Sequence, residues 1–118
     1  PAHEVSRDLR PLFAPQSVAV VGASADPSKW GNVLARGALR GALNAVRAFG
    51  AQALVVSLGV DTFEGDPISG FGLRSPDYLQ LGQDIAGAKL PTVFVFEGGY
   101  AVDEVGINTV NVLEGFGA

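Results

Sequence analysis

Cysteine is absent from this 118-residue sequence, which excludes disulfides, thiolate nucleophiles and every zinc or iron–sulfur site built on thiolates. The redox compartment is left open. Histidine occurs once, at His3, inside a leader of alternating charged and apolar residues, and is expected to be a solvated terminal side chain. Basic residues are scarce, 8 against 12 acidic ones, and the net charge of −4 argues against duplex nucleic acid or an anionic bilayer as the main partner, because both reward dense Lys and Arg. Long apolar runs are missing too. The longest, Ser17 to Val21 and Ala53 to Leu58, fall far short of the roughly 20 residues a membrane helix needs, and Pro1 to Arg10 has no apolar core of the kind a signal peptide carries. A soluble, cytoplasmic protein is expected.

What is present is a globular composition, 47% apolar and 17% charged, at a length common for one domain. A single α/β domain spanning residues 1–118 is expected. Three short runs predict buried strands: Ser17 to Val21, Ala53 to Leu58 and Thr92 to Phe96. Each is rich in Val or Phe and nearly continuously apolar, as a strand covered on both faces requires, and each is followed by glycine, at Gly22, Gly59 and Gly98-Gly99.

Helical patterns alternate with these strands. From Ser28 to about Phe49, Trp30, Val33, Leu34, Ala38, Ala42, Ala45, Val46 and Phe49 form a stripe, with Asp26-Pro27 as N-cap and first helical residue and Gly50 as the stop. A second helix is predicted from Ser75-Pro76 to about Ala86, with Leu79, Ile85 and Ala86 inward. The third begins near Ala101, with Val102, Val105, Thr109, Val110 and Leu113 as its buried face. Val5 to Phe13 could add a short helix, interrupted by Pro11.

The order β-α-β-α-β-α implies right-handed crossovers and predicts a three-layer, Rossmann-like half: a three-stranded parallel sheet with helices on both faces. Gly37 and Gly41 each weaken the first helix by about 1 kcal/mol relative to Ala, so either they allow close packing on the sheet or they mark a compromised segment. The connection from Gly59 to Arg74 is too long for a routine strand-to-helix loop and holds Asp61, Glu64 and Asp66. It reads equally as a site loop or as a solvated acidic loop.

In open α/β sheets, ligands bind beyond the carboxyl ends of the strands. That rim consists here of Gly22 to Ser24, Gly59 to Asp61 and Glu97 to Tyr100, which brings Ser24, Asp61 and Tyr100 towards one another. The first of these loops precedes a helix N-terminus, where free N–H groups and the helix dipole favour a phosphate. It completes neither G-x-G-x-x-G nor a P-loop, and a tight turn capped by Ser24 or Asp26 explains it as well.

Leu12-Phe-Ala-Pro15, Ser17 to Ser24, Asp26-Pro27 and Lys29-Trp-Gly31 resemble the CoA-binding domain of NDP-forming acyl-CoA synthetases over residues 1 to about 42. The resemblance implies that Gly22, Ala23, Ser24, Lys29 and Gly31 hold the phosphates of CoA. From about Leu43 to Phe116 the sequence is similar instead to the C-terminal part of histone deacetylase-like amidohydrolases and acetylpolyamine amidohydrolases. Leu54 to Pro67, Ile68-Ser-Gly70 and Phe96 to Tyr100 carry that similarity. It implies that Asp61 matches a zinc-ligating aspartate and Tyr100 the tyrosine that polarises the substrate carbonyl.

A catalytic zinc needs three protein ligands and an open position, and the family's Asp-x-His pair and paired histidines lie before the matched stretch. Asp61 alone does not hold zinc tightly, and Tyr100 without a Lewis acid has nothing to assist. Two signatures meeting near Ala42 to Ala45 therefore lead to the expectation of a chimera, engineered or recombined, that folds without enzymatic activity and with no cofactor. The alternatives are weak CoA or nucleotide binding at the Gly22 loop, and a vestigial zinc-dependent deacetylase using Asp61 and Tyr100. A homodimer is also expected, since a small sheet leaves two unpaired edges.

Overall fold

A computed structural model describes residues 10, 14, 16–22 and 32–118, and for residues 18–22 and 32–38 it describes the backbone alone. The elements run β1 (Val18–Gly22), α1 (Asn32–Phe49), β2 (Ala53–Leu58), α2 (Ser75–Ala86), β3 (Thr92–Phe96) and α3 (Val102–Gly117). The chain is thus α/β with a parallel sheet. β2 and β3 coincide with the expected runs, whereas β1 lies one residue later than predicted. Asp26, Pro27, Trp30, the leader from Val5 to Phe13 apart from Arg10, and the side chains of Val33, Leu34, Gly37 and Ala38 fall outside the described residues.

β2 pairs in parallel with β3, Leu54 opposite Thr92 through Leu58 opposite Phe96. Along its other edge the backbone of β1 runs parallel as well, Val18 opposite Ala53 through Gly22 opposite Ser57. Because side chains alternate along a strand, Leu54, Val56 and Leu58 share one face with Phe94, while Val55 and Ser57 share the other with Val93 and Val95. Leu54, Val56 and Leu58 are buried and belong to one core cluster with Leu43 and Val46 of α1, Tyr78 and Ile85 of α2, and Val112 of α3, and Phe94 is half-buried against it. Phe94 meets Phe116 of α3 edge to face, with ring centroids 5.2 Å apart.

The expectation of helices on both faces is corrected by this cluster. Each of α1, α2 and α3 contributes to the core on the Leu54 face, and Arg47 of α1 donates a hydrogen bond from Nη2 to the carbonyl of Gly87 at the end of α2, 2.8 Å away. The opposite face carries Val93 and Val95 at 41% and 43% exposure. Handedness explains this. A right-handed crossover from β2 to its neighbour β3 fixes the side on which α2 lies, α3 packs on α2, and helices reach both faces only where the strand order reverses.

Local chemistry sets the helix ends. Gly50 adopts φ 73°, the left-handed conformation that ends α1, and the N–H groups of Gly50 and Ala51 return to the carbonyls of Arg47 and Val46. α2 starts with Ser75 already helical, and the cap is Arg74, whose N–H is accepted by Asp77 Oδ2 at 2.8 Å.

The buried faces of the helices differ from the predicted stripes. In α1, Leu43 and Val46 are buried, but Ala45 is exposed and Phe49 is 65% exposed. A Cβ at Gly41 meets nothing within 4 Å, so close packing is not the reason for that glycine. In α3 the inward residues are Asn108, Val112 and Gly115, while Val102 is 88% exposed and Val110 and Leu113 also face solvent. Glycine decides this rotation. A Cβ on Gly82 of α2 would run into the Val112 carbonyl, and one on Gly115 into the Leu79 carbonyl, so the two helices cross backbone to backbone there. In α2, Tyr78 and Gly82 are buried beside Ile85 and Ala86, whereas Leu79 is 38% exposed. No described helix is long and apolar enough to cross a membrane.

Candidate functional site

The long connection after β2 is a built structure. The turn closes with Phe63 N–H on the Val60 carbonyl and Asp66 N–H on the Phe63 carbonyl, and Phe63 bridges Leu73 in parallel, with Glu64 N–H donating to the Leu73 carbonyl at 2.8 Å. Tyr78 supports it from below. Fully buried on α2, it donates from its hydroxyl to the Val60 carbonyl at 3.1 Å, which leaves Thr62 Oγ1, 2.9 Å away, as donor to Tyr78. Burial pushes the Tyr78 phenol up to about 12, the Thr62 hydrogen bond opposing and the negative charges of Asp61, Asp66 and Asp77 adding to it.

Asp61 thereby sits at the carboxyl end of β2 on a turn braced from both sides. Its carboxylate lies where glycines leave room: a Cβ on Gly59 would come within 2.7 Å of Oδ1, and one on Gly98 within 2.9 Å of Oδ2. Gly98 and Gly99 take φ 64° and 121°, and a Cβ on Gly99 would meet Val60 Cγ2 at 2.6 Å. Only glycine allows the loop after β3 to press this closely on the Asp61 turn. Burial raises the Asp61 carboxyl above its ordinary value, its own backbone N–H offsetting part of the rise and the charge of Asp66 adding to it.

Asp66 is buried at 6% exposure and joins the two loops. Oδ1 accepts the N–H groups of Ile68 at 2.9 Å and Ser69 at 3.2 Å, and Oδ2 accepts that of Tyr100 at 2.8 Å. Burial alone would raise its carboxyl, but the hydrogen bonds from Ile68, Tyr100, Ser69 and Ala101 outweigh burial and hold it below the ordinary carboxylate range. Tyr100 stands at the end of the second loop with half its surface exposed. At the root of that loop, Glu97 N–H donates to the Leu58 carbonyl at 2.9 Å, and Ser57 Oγ donates to Glu97 Oε1 at 3.2 Å.

Two of the sequence-predicted residues, Asp61 and Tyr100, are therefore carried on loops that touch. Ala23, Ser24, Lys29, Gly31 and His3 lie outside the described residues, and Gly22 is described only as the last backbone position of β1. Sequence reasoning missed Asp66 and Tyr78 as site residues. The signal for Asp66 was available in Gly65-Asp66-Pro67, a turn sequence in which an Asp accepts backbone N–H groups two and three residues on. Among the described residues no three His, Asp or Glu side chains cluster as a metal site. Asp61 suits a divalent cation as one carboxylate corner, and further donors would have to complete the set.

The histone deacetylase domain family matches residues 28–116. The chain is similar to acetylpolyamine amidohydrolase 2 of Pseudomonas aeruginosa, 61% identical over 79 residues that cover 67% of this chain and 23% of that protein. To the acetylpolyamine amidohydrolase of Mycoplana ramosa it is 54% identical over 88 residues, 75% of this chain and 24% of that protein. A crystal structure of acetylpolyamine aminohydrolase from Burkholderia pseudomallei superposes with a TM-score of 0.71 at 35% identity, covering 75% of this chain and 26% of the other. The chain thus spans about a quarter of the length of the relatives it matches.

These findings correct four expectations. The chimera is not supported, because the family match begins at residue 28 and runs through the supposed junction near residues 42 and 43, in the middle of α1. It also takes in Lys29 and Gly31, two of the residues assigned to CoA, and no CoA-binding segment is shown. A catalytically empty domain is overturned by relatives that are hydrolases by name. The absence of any cofactor is overturned by membership of a zinc-dependent family; the error lay in counting ligands in this stretch as though they were the ligands of the whole site.

Proposed function

Since the chain belongs to the histone deacetylase domain family, we propose that it forms the part of a zinc-dependent amidohydrolase that carries one carboxylate ligand, Asp61, and one carbonyl-polarising hydroxyl, Tyr100. The substrate class is an N-acetylated amine, in keeping with the acetylpolyamine specificity in the relatives' names. The observation that carries the proposal is the seating of the Gly98-Gly99-Tyr100 loop against the Asp61 turn, so that both side chains stand on one rim.

Bound zinc supplies a Lewis acid for the amide carbonyl and acidifies a water. Asp61 would hold the ion together with donors from beyond the described residues. Tyr100, half exposed on its loop, would donate its hydroxyl hydrogen to the carbonyl oxygen as negative charge develops there. Water adds to the carbonyl carbon, the C–N bond breaks, and the amine leaves with the protons given up by the water, giving acetate and the ammonium form of the amine. The two glycines let the loop that carries Tyr100 seat directly against the Asp61 turn. In the same proposal β1 completes a three-stranded sheet; its support is the unbroken register against β2.

The test is a hybrid in which residues 28–116 replace the matching segment of the Mycoplana ramosa enzyme. Acetate release from an acetylated polyamine is expected. Asp61→Ala and Tyr100→Phe should each lower it by about 100-fold or more, the scale on which single donors to a developing oxyanion act. A hybrid that works equally well with both substitutions refutes the assignment.

A further inference from the structure

We infer that Asp66 is a positioning residue that sets the place of Tyr100, an assignment that rests on the reading of Tyr100 as the carbonyl-polarising group. Its two oxygens face different loops. Oδ1 takes the N–H groups of Ile68 and Ser69 at 2.9 and 3.2 Å, fixing the carboxylate in its own turn, and Oδ2 takes the Tyr100 N–H at 2.8 Å. No other side chain makes a hydrogen bond to the backbone between Gly98 and Ala101 among the described residues. Its other hold is the close approach of Gly98 and Gly99 to Asp61, Val60 and Val105. Gly98 and Gly99 occupy left-handed conformations open to glycine's full range, and the residues that follow, Tyr100 and Val102, are 50% and 88% exposed.

Two glycines followed by a half-exposed tyrosine provide no side chain of their own to fix the course of the backbone into Tyr100, whereas polarising a carbonyl requires its oxygen to stay within hydrogen-bond reach of one point. The Asp66 hydrogen bond supplies that hold at the residue where it matters. The geometry also supplies the reason for an aspartate. A buried carboxylate that accepts on both oxygens can serve two loops at once, and a hydrogen bond to an ionised acceptor is about twice as strong as a neutral one. Asparagine offers a single carbonyl oxygen for the same donors and would hold one loop at the expense of the other.

The test uses the 118-residue chain labelled with 3-fluorotyrosine, which gives one fluorine signal from Tyr78 and one from Tyr100, together with amide exchange at Tyr100. In Asp66→Ala, the Tyr100 amide should exchange about tenfold faster or more, as loss of one charge-assisted hydrogen bond implies. The Tyr100 signal should move towards that of free tyrosine while the buried Tyr78 signal stays in place. Asp66→Asn should fall between the two, and it serves as the reporter if the alanine variant loses both native signals. Unchanged Tyr100 exchange in either variant overturns the assignment, as does an equal shift of both tyrosines in Asp66→Asn, which would make Asp66 a general support of the fold. Neither readout involves zinc or turnover, so loss of the hydrolase reading and loss of this one are seen separately.

Discussion

Asp66 Oδ2 accepts the backbone N–H of Tyr100 at 2.8 Å across a sequence separation of 34 residues, tying the loop after β2 to the loop after β3. Because the folded-state carboxyl lies below its ordinary value of 3.8, the unfolded chain takes up the proton first as pH falls. The contribution is complete above the unfolded value and disappears as pH drops through the folded one. Asp61 is shifted the other way, so its ionised form is disfavoured in the fold and its contribution has the opposite sign. Denaturant midpoints measured from pH 6 down to pH 2 should therefore show a steeper acid limb in the chain than in Asp66→Asn. Parallel limbs contradict the clasp.

Tyr78 predicts the behaviour in alkali. Its phenol is raised by burial from 10.0 to about 12, so the folded state keeps the proton that the unfolded chain releases, and stability is full below pH 10 and lost between pH 10 and 12. Tyr78→Phe should remove that limb and cost about 1–3 kcal/mol at neutral pH, because the Val60 carbonyl and the Thr62 hydroxyl are left buried without their partner. Urea denaturation at pH 7 and pH 11 checks both.

Two glycines in helices should respond in opposite directions. Gly41→Ala places its methyl in open space on α1 and should stabilise by about 0.5–1 kcal/mol through helix propensity. Gly82→Ala forces a methyl onto the Val112 carbonyl and, 2.7 Å away, the Phe116 nitrogen, and should destabilise by about 1–3 kcal/mol despite the same gain in propensity. Thermal unfolding of the pair decides whether α2 and α3 cross as described.

The sheet face on which Val93 and Val95 are exposed among the described residues predicts self-association of the isolated chain. Light scattering should give a mass above the 12.1 kDa monomer at high concentration, and Val95→Lys should return it to the monomer. A monomeric mass for the unaltered chain removes this face as a contact.

The strands were legible in the sequence because continuous Val-rich runs followed by glycine have few other uses, and β2 and β3 stand where the sequence placed them. The helix faces were less so. The apolar residues of α3 spread over more than one face while its inward face carries Asn108 and Gly115, so hydropathy alone could not choose between Val110 and Val112; the choice came from Gly82 and Gly115, whose meaning lies in a partner helix distant in sequence. The layer arrangement was misjudged for a related reason, since strand order rather than composition decides which face receives each helix. At the site, Asp61 and Tyr100 were visible as rim residues, but Asp66 acts through a contact 34 residues away. The chimera arose from reading α1 as two halves, when one family match crosses it.

The most direct test of the central claim is the zinc content of the hybrid that carries residues 28–116 in the Mycoplana ramosa enzyme, measured by elemental analysis after exhaustive dialysis. The account predicts tightly held zinc, lost on Asp61→Ala and retained on Tyr100→Phe. A folded hybrid whose zinc is indifferent to Asp61 would contradict it.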